Sequence, residues 1–74
     1  MQSETQVRKV EGIINEALPG LLFRVILDGE KNQEILAYLG GKMKIHRIRV
    51  IPGDRVVVEM TQYDDHRGRI VRRF

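Results

Sequence analysis

A chain of 74 residues, 42% of them apolar, holds material for one small core and little to spare for a deep substrate cavity. It has no cysteine, and its two histidines, His46 and His66, lie far apart, so neither a disulfide framework nor a thiolate metal site is available and no cofactor is expected. The net charge of +3 is unevenly spread: residues 1–41 carry four Lys or Arg against six acids and residues 42–74 carry nine against four, which with a pI of 9.7 points to a polyanion facing the C-terminal half.

Residues 1–6 contain no apolar side chain after Met1 and read as a flexible N-terminus. No run approaches the roughly 18 apolar residues of a membrane span, and Met1-Gln2-Ser3-Glu4 has neither region of a secretory signal. A cytoplasmic protein with no membrane partner is expected. From Val7 the pattern turns strand-like, with Val10, Gly12 and Ile14 on one side and Lys9, Glu11 and Ile13 on the other. Gly12 inside that run predicts a bulge or sharp bend, which lets one strand curve between two neighbours. Ala17-Leu18-Pro19-Gly20 then breaks the strand in an apolar loop tip. The ordinary use of Leu18 there is to cover the end of the core; the functional one is a small wedge beside a nucleic-acid groove.

Leu21 to Asp28 alternates again, Phe23, Val25 and Leu27 against Leu22, Arg24 and Ile26. Asp28-Gly29 signals a turn that residues 30–33 extend, and the chain returns through Glu34 to Leu39 with Ile35, Ala37 and Leu39 inward. Gly40-Gly41 ends that strand. Next comes Lys42-Met43-Lys44-Ile45-His46-Arg47-Ile48-Arg49, four fixed cations and a histidine with no acid among them. A run this short predicts one helical turn over Lys42–His46, anchored to the core by Met43, Ile45 and Ile48 while the cations fan outward. A solvated connector is the ordinary reading of an isolated charge run. The second basic cluster, His66-Arg67-Gly68-Arg69 leading to Arg72-Arg73, favours an anionic ligand instead.

Ile51-Pro52-Gly53-Asp54 is a turn, Arg55 to Thr61 the strongest strand, Tyr63 to Arg67 a loop, and Gly68 to Arg72 a closing strand around Ile70 and Val71. The predicted class is all-β. Five short strands with one helical connection after the third is the order of an OB-fold, a Greek-key barrel that binds oligonucleotides on its second and third strands and its loops. Residues 7–74 are expected to form it as a single domain.

Catalytic signals are weak. Gly40-Gly41-Lys42 resembles the end of a phosphate-binding loop, but Leu36 stands where that motif needs Gly and Met43 where it needs Ser or Thr. Asp64-Asp65-His66 reads as a polar hairpin tip, and no nucleophile sits in an activating context, so the chain is not expected to be an enzyme. Aromatic residues are few: Phe23 has core parity, while Tyr38 and Tyr63 flank the basic segments, as rim or as stacking residues. Neither of the second and third strands carries an aromatic pair. Recognition by shape and phosphate is therefore expected over base stacking.

In order along the chain, Gly12, Leu18-Pro19, Phe23-Arg24-Val25, Asp28-Gly29, Gly41-Lys42-Met43, Ile48-Arg49-Val50, Gly53-Asp54-Arg55-Val56, Tyr63-Asp64 and Gly68-Arg69-Ile70 closely resemble bacterial translation initiation factor one, an S1-like OB-fold family. The resemblance implies a non-enzymatic factor in the A site of the small ribosomal subunit, touching the decoding-site rRNA and a neighbouring ribosomal protein and cooperating with the other two initiation factors. A monomer is expected. By position it makes Leu18-Pro19 a groove-inserting element and assigns Lys42, Met43, Arg49, Tyr63, Arg67 and Arg69 to the rRNA side. With Lys44, His46, Arg47 and Arg72 from the basic clusters, these make up the expected rRNA-binding set. Departures are Gly20 for a usual Asn, Tyr38 and Gly40 for His and Ser, Gln62 for Pro, Arg72 for an aromatic, and a longer hairpin after Val25. The rival from another class is a cold-shock-like RNA chaperone with no ribosomal address, which would display aromatic motifs on its second and third strands.

Overall fold

The computed structural model describes residues 7–29, 32–61 and 63–74, Asp65 by its backbone alone. The flexible start expected over residues 1–6, the hairpin residues Glu30 and Lys31 and the departure at Gln62 lie outside the described residues.

Period-two alternation produces five strands: β1 (Val7–Leu18), β2 (Leu22–Leu27), β3 (Glu34–Leu39), β4 (Arg55–Thr61) and β5 (Asp64–Arg73), with α1 (Gly41–Ile45) between β3 and β4. They close in the order β1-β2-β3-β5-β4, giving the expected all-β barrel of OB type. Pairing is antiparallel except between β3 and β5, whose parallel seam runs from Leu36↔Arg67 to Leu39↔Ile70. β1 serves both ends of the order, its first half pairing with β4 and its second with β2.

Inward residues are those the alternation selects. Ile14, Phe23, Val25, Leu27, Ile35, Ala37, Leu39, Val56, Val58, Met60 and Ile70 are buried, joined by Met43 and Val50 from the segment after β3. Among the described residues no polar or charged side chain is buried, so the core's stability comes from apolar burial and the backbone ladder rather than from a buried polar network. No described helix is long and apolar enough to cross a membrane.

Three local expectations are corrected. The irregularity in β1 falls between Ile14 and Glu16, not at Gly12. Gly12 is required for another reason: it pairs with Leu27 on one side and Val56 on the other, and a Cβ there would stand 2.7 Å from the Ile26 carbonyl oxygen. The first strand also continues through Ala17 to Leu18, because Leu18 pairs with Leu22 and the turn is made by residues 19–21. Gly20 takes φ of 82° in that turn, a conformation open to Gly and Asn alike.

The third correction concerns β5, which starts at Asp64 where a loop was expected to run to Arg67. Thr61 pairs with Asp64 across the hairpin, and one Asp64 carboxylate oxygen accepts the backbone N–H groups of His66 (2.9 Å) and Arg67 (3.1 Å). A register shift follows between Glu59 and Thr61, so the residues after Asp64 bulge and the strand swings across to β3. Side-chain polarity hides such a strand, because its pairing is carried by backbone groups.

Candidate nucleic-acid interface

The connector between β3 and β4 is held at few points. Met43, 2% exposed, is the buried residue of α1, and Val50, 8% exposed, returns the chain to the core. Ile45 lies two positions after Met43, about 200° further round the helix, and is 77% exposed; Ile48 is 37% exposed. Of the expected anchors Met43, Ile45 and Ile48, Met43 is buried, and Val50 takes the place of the exposed Ile45 and Ile48. Helical period, not strand parity, decides which residues of so short a segment point inward.

α1 begins one residue earlier than expected and ends in a Schellman arrangement. With His46 as C-cap, the Arg47 N–H donates to the Lys44 carbonyl at 3.1 Å and the Ile48 N–H to the Met43 carbonyl at 3.0 Å. This geometry needs a left-handed residue after the cap, and Arg47 supplies it with φ of 54°. Glycine, having no Cβ, would adopt that conformation with about 1 kcal/mol less strain. Arg47→Gly is thus expected to raise stability by about 0.5 to 1 kcal/mol and at the same time to weaken RNA binding by one phosphate contact. Thermal melting and an RNA titration on the same variant check both; unchanged binding would make Arg47 a cap residue only.

Lys42, Lys44, Arg47 and Arg49 are all exposed, and among the described residues no carboxylate lies within ion-pair distance of any of them. Five arginines of the barrel differ. Arg24 pairs with Glu16 at 3.1 Å and Glu34 at 3.9 Å, Arg55 with Asp28 at 2.6 Å and Glu11 at 3.5 Å, Arg67 with Asp64 at 3.8 Å and Arg73 with Asp54 at 4.0 Å. Arg69 is paired with Glu59. The Arg55 guanidinium is held above its ordinary pKa first by its hydrogen bond to Asp28, and that of Arg69 first by its hydrogen bond to Glu59. Arg72 stacks over the Phe74 ring at 5.4 Å.

The face of β2 and β3, where OB-folds commonly bind oligonucleotides, is electrostatically closed. Its cation, Arg24, is engaged by two carboxylates, and Tyr38 is its single exposed aromatic. The densest run of cations without a carboxylate partner among the described residues is on the connector, Arg8, Lys9 and Arg72 being the others.

Next to it runs an open cleft of about 810 Å³ across β1, β4 and β5, bordered by Lys9, Lys42, Glu59, Arg69, Arg72 and Phe74. It also touches Met43, so Lys42, Met43, Arg69 and Arg72 of the expected set come together there. A smaller cleft of about 370 Å³ on the far side of Glu59 and Arg69 brings in Tyr38 and Arg67. Leu18, Pro19, Lys44, His46, Arg47, Arg49 and Tyr63 border neither cleft. Lys9 and Glu59 were missed in sequence. Both lie on outward positions of strands that become neighbours, Lys9↔Glu59 and Glu59↔Arg69, and only the register reveals that they meet.

A family model described as translation initiation factor 1A / IF-1 matches residues 2–74. The solution structure of translation initiation factor IF-1 from the Wolbachia endosymbiont strain TRS of Brugia malayi is 46% identical, matching 92% of this chain and 78% of that one with a TM-score of 0.74. The crystal structure of YjeQ from Thermotoga maritima matches 90% of this chain and 23% of its own at 24% identity, with a TM-score of 0.70, a likeness of fold alone.

Proposed function

The chain belongs to the translation initiation factor 1A / IF-1 family, and from that premise we propose that it binds the A site of the small ribosomal subunit during initiation, in the cytoplasm and without catalysis. The observation that carries this reading is the division of its charges: among the described residues the connector's four cations have no carboxylate partner, while the barrel arginines Arg24, Arg55, Arg67, Arg69 and Arg73 do. A phosphate backbone is the ligand that such a set fits.

Charge alone gives no address, because phosphate contacts position a protein on RNA without reading it. In duplex RNA the accessible surface is the shallow minor groove, recognised by shape. The β1–β2 turn suits that role: Leu18 is half-buried at the strand end, Pro19 is exposed, and Leu21, at φ of 59°, is 52% exposed. This turn enters the groove, and Lys42, Lys44, Arg47 and Arg49 hold flanking phosphates. The decoding-site rRNA, a neighbouring small-subunit protein and the other two initiation factors are the proposed partners.

Competition on factor-free small subunits tests the reading. The protein is expected to exclude an A-site anticodon stem, and Leu18→Asp to weaken binding by on the order of tenfold to a hundredfold by placing a carboxylate among phosphates. Simultaneous occupancy, with no protection of decoding-site rRNA, would leave a general RNA chaperone as the better reading.

A further inference from the structure

We propose that Glu59 is a built-in competitor for RNA phosphate: it occupies Arg69 and releases it only to a ligand that fills the whole cationic cleft. This inference rests on the RNA-binding reading and adds to it a specificity-determining residue.

Glu59 projects from β4 between two strands that both present cations to it, Lys9 on β1 and Arg69 on β5. The Arg69 Nη2 donates directly to Glu59 Oε1. Glu59 and Arg69 together form the wall between the two clefts, and Lys42 and Arg72 border the larger one. The second carboxylate of that cleft, Glu11, is engaged by Arg55 at 3.5 Å. Glu59 is therefore the acid that an incoming phosphate meets at Arg69.

The two partners are mutually exclusive in charge terms. Arg69 neutralised by Glu59 offers little net attraction to a phosphate, whereas Arg69 turned toward a phosphate leaves Glu59 facing it as a like charge. The internal pair can exchange, since the Arg69 side chain is 48% exposed and screened by solvent, and Glu59, 20% exposed, has Lys9 opposite it on β1 when Arg69 turns away. Exchange is favourable when a phosphate is also held by Lys42 and Arg72, so that the ligand is already in place. A flexible strand that touches the connector alone does not displace Glu59. The carboxylate thus lowers affinity for arbitrary RNA more than for a site shaped to the cleft.

The test uses the full chain and polyuridylate, a flexible RNA with no fixed shape, in a salt titration. Glu59→Gln keeps size and deletes the charge. It is expected to tighten polyuridylate binding about threefold to tenfold at low salt and to steepen the logarithmic salt slope by about 0.7, the value for one more single-strand phosphate contact. Arg69→Ala in the wild-type background is expected to weaken that binding by less than Lys42→Ala does, since Arg69 is already occupied and its loss frees Glu59 only as one screened acid. The double variant is expected to bind more tightly than Arg69→Ala, because it lacks the freed acid as well. Unchanged or weaker binding by Glu59→Gln overturns the proposal and makes Glu59 a residue that orients Arg69 for RNA. Should Glu59→Gln not fold, a loss in Arg69→Ala equal to that in Lys42→Ala overturns it equally. The underlying reading fails separately: Lys42→Ala/Lys44→Ala binding polyuridylate as tightly as wild type would refute RNA binding through the connector itself.

Discussion

Replacing Lys42, Lys44, Arg47 and Arg49 together by Ala is expected to remove measurable binding to small ribosomal subunits at moderate salt and to leave thermal unfolding nearly unchanged. The four side chains are exposed and have no carboxylate partner among the described residues, so their loss breaks no ion pair there. Each truncation falls in the class of surface changes within about 0.5 kcal/mol. Binding responds differently. Four lost phosphate contacts remove about 3.6 from the logarithmic salt slope on a duplex and lower affinity by roughly two to three orders of magnitude. The net charge moves from +3 to −1, so long-range attraction reverses as well. A matched control separates local from global charge. Arg24→Ala and Arg55→Ala delete cations already engaged by Glu16, Glu34, Asp28 and Glu11, and are expected to affect binding far less. Retention of wild-type affinity by the quadruple variant, measured by filter binding across a salt series, would remove the connector from the interface.

That control also shows what the sequence does and does not carry. Alternation in Phe23-Arg24-Val25-Ile26-Leu27, in Ile35-Leu36-Ala37-Tyr38-Leu39 and in Val56-Val57-Val58-Glu59-Met60 names the buried face of each strand directly, because a side chain's face depends on its own parity. The barrel followed from those faces and one glycine-rich break. Charge compensation has no such local rule. Arg55 meets Asp28 from 27 residues away and Arg69 meets Glu59 across a hairpin, so which cations are engaged inside the molecule depends on register. The basic run 66–73 and the basic run 42–49 look alike in sequence, yet Arg67, Arg69 and Arg73 have acidic partners and, among the described residues, the connector's cations do not. Arg47 adds a second kind of hidden information. Its left-handed backbone follows from where α1 ends, and nothing in its own identity announces that conformation.

Gly68→Ala is expected to lower the melting temperature by roughly 10 °C or more, from a destabilisation of about 2 kcal/mol in a domain of this size. Gly68 is buried where β5 crosses from β4 to β3, paired with Ala37 on the parallel seam. A Cβ at Gly68 would collide with Val58 Cγ1 and stand 3.1 Å from the Glu59 carbonyl oxygen and 3.2 Å from Ile35 Cδ1. None of these neighbours moves easily: Val58 is fully buried, Ile35 is 2% exposed and the third is backbone. An opposing effect favours alanine, since it restricts the unfolded chain by about 0.4 to 1 kcal/mol. Overpacking of about 1 to 3 kcal/mol outweighs it, and total stability for 74 residues is only roughly 4 to 11 kcal/mol. Gly41→Ala provides the contrast, because Gly41 opens α1 with nothing within 4 Å of its Cβ position and alanine favours helix. That variant is expected to melt at or above the wild-type temperature. A Cβ at Gly68 would also displace the strand that carries Arg67 and Arg69, so binding to small ribosomal subunits, the shaped ligand to which Arg69 is released, should fall even where Gly68→Ala remains folded. A Gly68→Ala protein melting with wild type would mean that β5 does not close against β3 and β4 in this register, and the wall that places Arg69 beside Glu59 would have to be redrawn.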